Sequence, residues 1–170
     1  MKHPLVIRIT HWLAVLLVIL MMLTGFEILH AYPHFGPPGD TYFWAFDAPG
    51  VLRLGDGVVA ARGLHLWFAW FLVGNAVVYL GYLVVRRRTI GFGRLRSPFY
   101  LAAFVLGVVE VLSGLVLWKP VSLHRLSAVF GGHEGARLVH FLALIGLVVF
   151  LVAHVALTRK RIRDMIRGSR

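Results

Sequence analysis

Four apolar runs dictate what this chain can fold into: residues 12–29, 63–85, 99–118 and 138–157. Each approaches or exceeds the roughly 20 residues a helix needs to cross the hydrocarbon core of a bilayer. With no water in that core, backbone groups must bond to one another, which leaves helices or closed barrels. The runs are continuously apolar and do not alternate, so a barrel is excluded. Of the 170 residues 59% are apolar and the mean hydropathy is +0.79, above the roughly 45–50% apolar content of a soluble domain. The expected fold is an all-α integral membrane protein, a four-transmembrane-helix bundle forming one domain over 1–170. Helices are expected over about 8–29, 62–85, 98–118 and 136–158, with a helical tail over 159–170. The first run is longer than a signal-peptide core and no small-x-small cleavage site follows it, so it is expected to be retained.

The net charge of +11 is distributed by side. Lys2 and Arg8 precede helix one. Arg86, Arg87, Arg88, Arg94 and Arg96 lie between helices two and three. Arg159, Lys160, Arg161, Arg163, Arg167 and Arg170 follow helix four. Four crossings put all three clusters on one face. The other face carries Arg53, Arg62, Lys119, Arg125 and Arg137, offset by Glu27, Asp40, Asp47, Asp56 and Glu134. This positive-inside pattern predicts that both termini are cytoplasmic. Insertion and anionic lipid account for the basic excess, so no nucleic-acid partner is expected. The outer loop over 30–61 is punctuated by Tyr32-Pro33, Gly36-Pro37-Pro38-Gly39 and Pro49-Gly50. Its aromatics Tyr42, Phe43, Trp44 and Phe46 suit an interfacial cap. The outer loop over 119–135 carries Gly131-Gly132.

The chain has no cysteine and nine histidines. Disulfides, thiolate-held iron–sulfur clusters and c-type haem attachment are therefore excluded. His140 and His154 stand fourteen apart in one span, which at about 100° and 1.5 Å per residue puts them on nearly one face, about 21 Å apart. Ionisable residues inside a span mark function by default. His11 enters helix one from the cytoplasm, level with His154; His65 opens helix two from the outer side, level with His140. The four form two depth-matched pairs, His11/His154 and His65/His140. Imidazole is a good iron ligand, and two of them close both axial positions. Two haem b groups are expected, one near each surface. His3, His30, His34, His124 and His133 are read as surface residues of the terminus and loops.

Arg8, Arg62 and Arg137 each precede a histidine, His11, His65 and His140, by three residues and share its helix face. Each stands one turn nearer water, where it could pair with haem propionates or act as an interfacial anchor. Gly25 lies fourteen residues after His11. It admits close approach of a porphyrin edge or plain helix packing. Gly74, Gly81, Gly107, Gly114 and Gly146 share that ambiguity. Glu110, inside helix three toward the outer side, would handle a quinol proton or bond an interior group such as Asn75. Asn75 and Tyr79 are read as interior glue, with quinone contact as the lesser reading.

These residues resemble the bacterial di-haem cytochrome b family, which includes the membrane subunits of nickel–iron hydrogenases, formate dehydrogenases and thiosulfate reductases. The marks are Arg8-Ile9-Thr10-His11-Trp12, Leu23-Thr24-Gly25, Arg62-Gly63-Leu64-His65, Ala136-Arg137-Leu138-Val139-His140-Phe141 and His154-Val155. Residues 63–82 and 130–154 are most similar to the branch paired with a periplasmic molybdoenzyme or c-type cytochrome. The chain departs from that branch in its short loop between helices two and three. The resemblance implies a bacterial inner membrane, a quinone site near the His11/His154 haem, and a partner docked beside the His65/His140 haem. It implies electron transfer between the quinone pool and that partner. Two other functions fit parts of the pattern. One is a stand-alone superoxide:quinone oxidoreductase using the outer basic residues as a funnel. The other is a haem-free membrane anchor subunit.

Overall fold

The computed structural model describes residues 4–36, 43–44, 46–85, 97–159, 162 and 166. The basic loop over 86–96, most of the aromatic segment 37–45 and most of the tail lie outside the described residues, and so do the readings of an aromatic cap and a helical tail made for them. Among the described residues the helices are α1 (Leu5–Ala31), α2 (Gly57–Val85), α3 (Pro98–Trp118), α4 (His124–Val129) and α5 (Gly132–Thr158). Two-residue extended segments occur at His34–Phe35 and Phe43–Trp44, and a short 3-10 turn at Gly50–Leu52. α1, α2, α3 and α5 are long and apolar enough to cross a membrane. Only 6% of the most apolar stretch of α5 is buried, and 11% of that in each of the other three. Trp67, Phe71, Val78, Phe104, Val149 and Val152 point outward. A soluble protein does not present apolar faces of this extent to water; lipid accommodates them. The all-α membrane fold expected from the four runs is the fold observed.

The chain divides into two compact units. The first holds α1 and α2, the second α3, α4 and α5. In the first unit Leu54 N–H donates to the Leu23 carbonyl at 3.0 Å, tying the connection between α1 and α2 back onto α1. Glu27 and Asp47 each lie 3.8 Å from Arg53, and Asp47 also meets His30 at 2.8 Å. α2 begins at Gly57 rather than near residue 62. Gly55 makes that entry: its φ is +126°, and a side-chain carbon there would stand 2.9 Å from the Ala61 Cα. Only glycine fits both conditions. Deeper in the unit the buried Asn75 amide donates to the Thr10 carbonyl at 2.9 Å. This is the interior glue expected of Asn75, and it fixes the antiparallel register of α1 against α2. Hydrogen bonds between helices in a membrane are worth on average about 0.6 kcal/mol and at most about 1.7. Asn75→Leu is therefore expected to cost about 1 kcal/mol. Thermal unfolding in detergent checks this, and a variant as stable as the parent would show that apolar packing alone sets the register.

In the second unit α3 opens with Pro98 after Ser97, where the missing N–H is no loss. The 119–135 segment, read as loop, contains α4. His124 thus lies on a helix, and His133 falls in the first turn of α5. A turn through Gly131 (φ +78°) separates the two helices. α3 and α5 approach closely at Gly146, where an added carbon would stand 3.0 Å from Leu106 Cδ1. Gly146 is a packing glycine.

Candidate haem-binding site

One histidine of each unit, His65 in the first and His140 in the second, sits in the same kind of cradle. In the first unit His65 Nδ1 lies 2.9 Å from Thr24 Oγ1. That hydroxyl spends its one proton on the Leu20 carbonyl, 2.9 Å away, with Met21 O at 3.1 Å. It must therefore accept from the imidazole. In that arrangement His65 carries its proton on Nδ1 and leaves the lone pair on Nε2. Beneath the ring lies Gly25, where a side-chain carbon would stand 3.5 Å from Cε1. Gly25 is the floor of the imidazole's seat.

In the second unit His140 Nδ1 lies 2.9 Å from Ser113 Oγ. Ser113 donates to Val109 O at 2.7 Å, so here too the hydroxyl accepts and Nδ1 carries the proton. Gly114 takes the place of Gly25, with its would-be side-chain carbon 3.4 Å from His140 Cε1. Glu110 adds a third group, its Oε2 2.7 Å from His140 Nδ1. Of its two readings, the geometry realises a bond to an interior group. That group is His140, since Asn75 is engaged with Thr10.

At the other end of the second unit His154 sits in an aromatic box. Phe150 stacks on it at 5.5 Å and Tyr100 meets it edge-on at 5.9 Å. Phe99 closes on Phe150 at 4.6 Å. In the first unit His11 meets Trp12 edge-on at 5.6 Å. It follows Thr10, whose carbonyl takes the Asn75 bond. Each expected ligand pair draws one histidine from each unit; what each unit brings together by itself is the second shell.

The three arginines differ. Arg137 pairs with Glu134 at 2.7 Å and lies 5.1 Å over the Phe35 ring. Phe35 is itself buried against Phe141, ring centres 5.0 Å apart. Arg8 donates to the Ile166 carbonyl, and Arg62 is exposed. Sequence reasoning passed over Thr24 and Ser113 as histidine partners, and over Gly114 as a counterpart of Gly25. The signal was present as a repeat: Leu23-Thr24-Gly25 beside Leu112-Ser113-Gly114, and Arg62-x-x-His65 beside Arg137-x-x-His140.

The donor set fits haem. Metal-ligating histidines almost always donate their second ring N–H to a carboxylate, carbonyl or similar acceptor, which fixes tautomer and ring angle. His65 and His140 both have such an acceptor, and each ring lies against a glycine.

Comparison with known proteins agrees with this chemistry. Residues 2–164 match the family described as prokaryotic cytochrome b561. A relative from Azospira oryzae, described as a putative protein-methionine-sulfoxide reductase subunit YedZ1, is 31% identical over 198 positions. The match covers 98% of this chain and 96% of the relative. No solved structure matches. Four apolar spans and a match along nearly the whole chain make this a member of the prokaryotic cytochrome b561 family, bacterial multi-pass membrane proteins with a haem b electron-transfer role.

Proposed function

We propose that this chain carries electrons across the bacterial inner membrane on two haem b groups, between the quinone pool and a periplasmic redox partner. His65 and His140 would hold the outer haem, His11 and His154 the inner one, with both termini cytoplasmic. The observation that carries the reading is the duplicated cradle: two histidines, each with Nδ1–H given to a hydroxyl and a glycine under the ring. Haem b held by these histidines would supply reversible one-electron chemistry.

The residues supply the rest. Nδ1 acceptors hold the imidazoles in the ligating tautomer before the cofactor arrives. The fourteen-residue interval on α5 sets the depth of the two sites. Gly25 and Gly114 keep bulk away from the ring edges. Arg8, Arg62 and Arg137 stand on the watery side of their histidines and would receive propionates. At Arg137 that contact would compete with Glu134. Quinone would exchange its electrons beside the inner site, where Tyr100 and Phe150 surround His154. The relative is described as a methionine-sulfoxide reductase subunit, which supports a sulfoxide-reducing partner; that partner would be a periplasmic molybdoenzyme or a c-type cytochrome. Such a partner needs two electrons and two protons to turn each sulfoxide into a thioether and water, and a quinol releases two of each.

Of the five basic residues that a superoxide-collecting funnel would use, Arg53 and Arg137 are matched to carboxylates, which weakens that alternative. The purified chain is expected to give a reduced-minus-oxidised spectrum of b type with two haems per polypeptide, reducible by a short-chain quinol. Protein that folds without haem would end this reading. Rapid reduction by superoxide in place of quinol would replace it with the stand-alone oxidoreductase.

A further inference from the structure

The two outer cradles are copies with one chemical difference. Leu23-Thr24-Gly25 against His65 corresponds to Leu112-Ser113-Gly114 against His140. The hydroxyl–imidazole distances are both 2.9 Å, and the glycines sit 3.5 and 3.4 Å under Cε1. One turn before the glycine, the first copy has Met21 and the second has Glu110. Glu110 Oε2 lies 2.7 Å from His140 Nδ1, closer than the serine that shares the same proton. Its other oxygen, Oε1, is buried and makes no hydrogen bond among the described residues. The carboxylate is thus directed at the imidazole and at little else. At the sister position the Thr24 hydroxyl meets His65, with Met21 in the place of Glu110.

We propose that Glu110 is a positioning residue that gives His140 imidazolate character and lowers the reduction potential of the haem that His140 would hold. This rests on His140 being an axial ligand. An N–H shared with a carboxylate makes the ligating nitrogen a stronger donor, and second-shell hydrogen bonding is one of the levers that set haem potential. The ferric state carries one more positive charge than the ferrous. A carboxylate one imidazole away therefore favours the oxidised form, and in a span with little water that preference is weakly screened. Met21 at the sister position offers neither effect. The repeat thus carries its own internal control.

The test is an optical redox titration of the haem-loaded protein, with the low-spin ferric signals read by electron paramagnetic resonance. The outer haem is identified as the one that survives His154→Ala. Glu110→Gln keeps an acceptor and removes the charge. Its outer haem is expected to titrate at a higher potential and to shift its ferric signal, while the inner haem stays at the parent value. Glu110→Asp is expected to restore both readouts toward the parent. If Glu110→Gln does not retain two haems, Glu110→Met, which copies Met21, serves for the same measurement. Two haems at parental potentials in the glutamine or methionine variant would overturn the proposal, and so would an equal shift of both haems. Full haem content in His140→Ala would instead remove the ligation reading on which it stands.

Discussion

Replacing His140 with alanine is expected to halve the haem content, from two per chain to one, with the outer haem lost. A bis-histidine iron keeps neither its spin state nor its seat with one axial imidazole gone. His65→Ala should give the same spectrum, because it removes the opposite ligand of the same haem. His11→Ala and His154→Ala should match each other and lose the inner haem. The two sites are about 21 Å apart by helix rise, far beyond the 7–10 Å within which substitutions usually couple. Combining His140→Ala with His154→Ala should therefore add up to no haem at all. Haem per polypeptide, measured as the pyridine adduct against protein mass, checks the set. The pattern of matching is more informative than the losses. If His140→Ala resembled His11→Ala instead of His65→Ala, the depth pairing would be wrong even though all four residues were ligands.

The depth pairing rests only on helix rise and the order of crossings, both encoded in lengths of apolar sequence. The four spans were legible from those same lengths. Which neighbours each histidine touches was not. Helices that are apolar all round carry no stripe to say which way they face. The rotation of α3 that turns Glu110 and Ser113 onto His140 therefore cannot be read from hydropathy. Asn75 was read correctly as glue, but its acceptor is the Thr10 backbone, and no side-chain pattern reveals a carbonyl as partner. Helix starts moved outward at Gly57 and Gly132 because glycines with positive φ let the chain turn before the apolar run begins. α4 escaped notice because six residues are too few for a periodicity to register. It holds by packing on its neighbours, since an isolated helix that short is not stable in water. Arg137 shows another limit. Spacing placed it beside His140, and Glu134, one turn further out, supplied a partner that spacing also predicts.

Thr24→Val should weaken haem retention far more than Ser113→Ala, although the two hydroxyls occupy equivalent places. Valine keeps the shape of threonine and removes only the acceptor. His65 Nδ1–H then loses the hydroxyl that fixes its tautomer, and a donor buried without its partner costs about 1–3 kcal/mol. Loss of such an outer-shell contact typically lowers metal affinity by about 10–100-fold, and the outer haem should leave correspondingly faster. Ser113→Ala removes the weaker of two acceptors. Glu110, 2.7 Å from the same nitrogen, still takes the proton and holds the ring, so retention should stay close to that of the parent. Transfer of haem to an excess of apomyoglobin, followed by the shift of its absorption band, gives both rates. In a Glu110→Gln background the serine should regain importance, because the remaining acceptor is then neutral and the two cradles are alike. Equal losses from Thr24→Val and Ser113→Ala in the parent would mean that the hydroxyls act through helix packing, and that the tautomer of each imidazole is set by the haem itself.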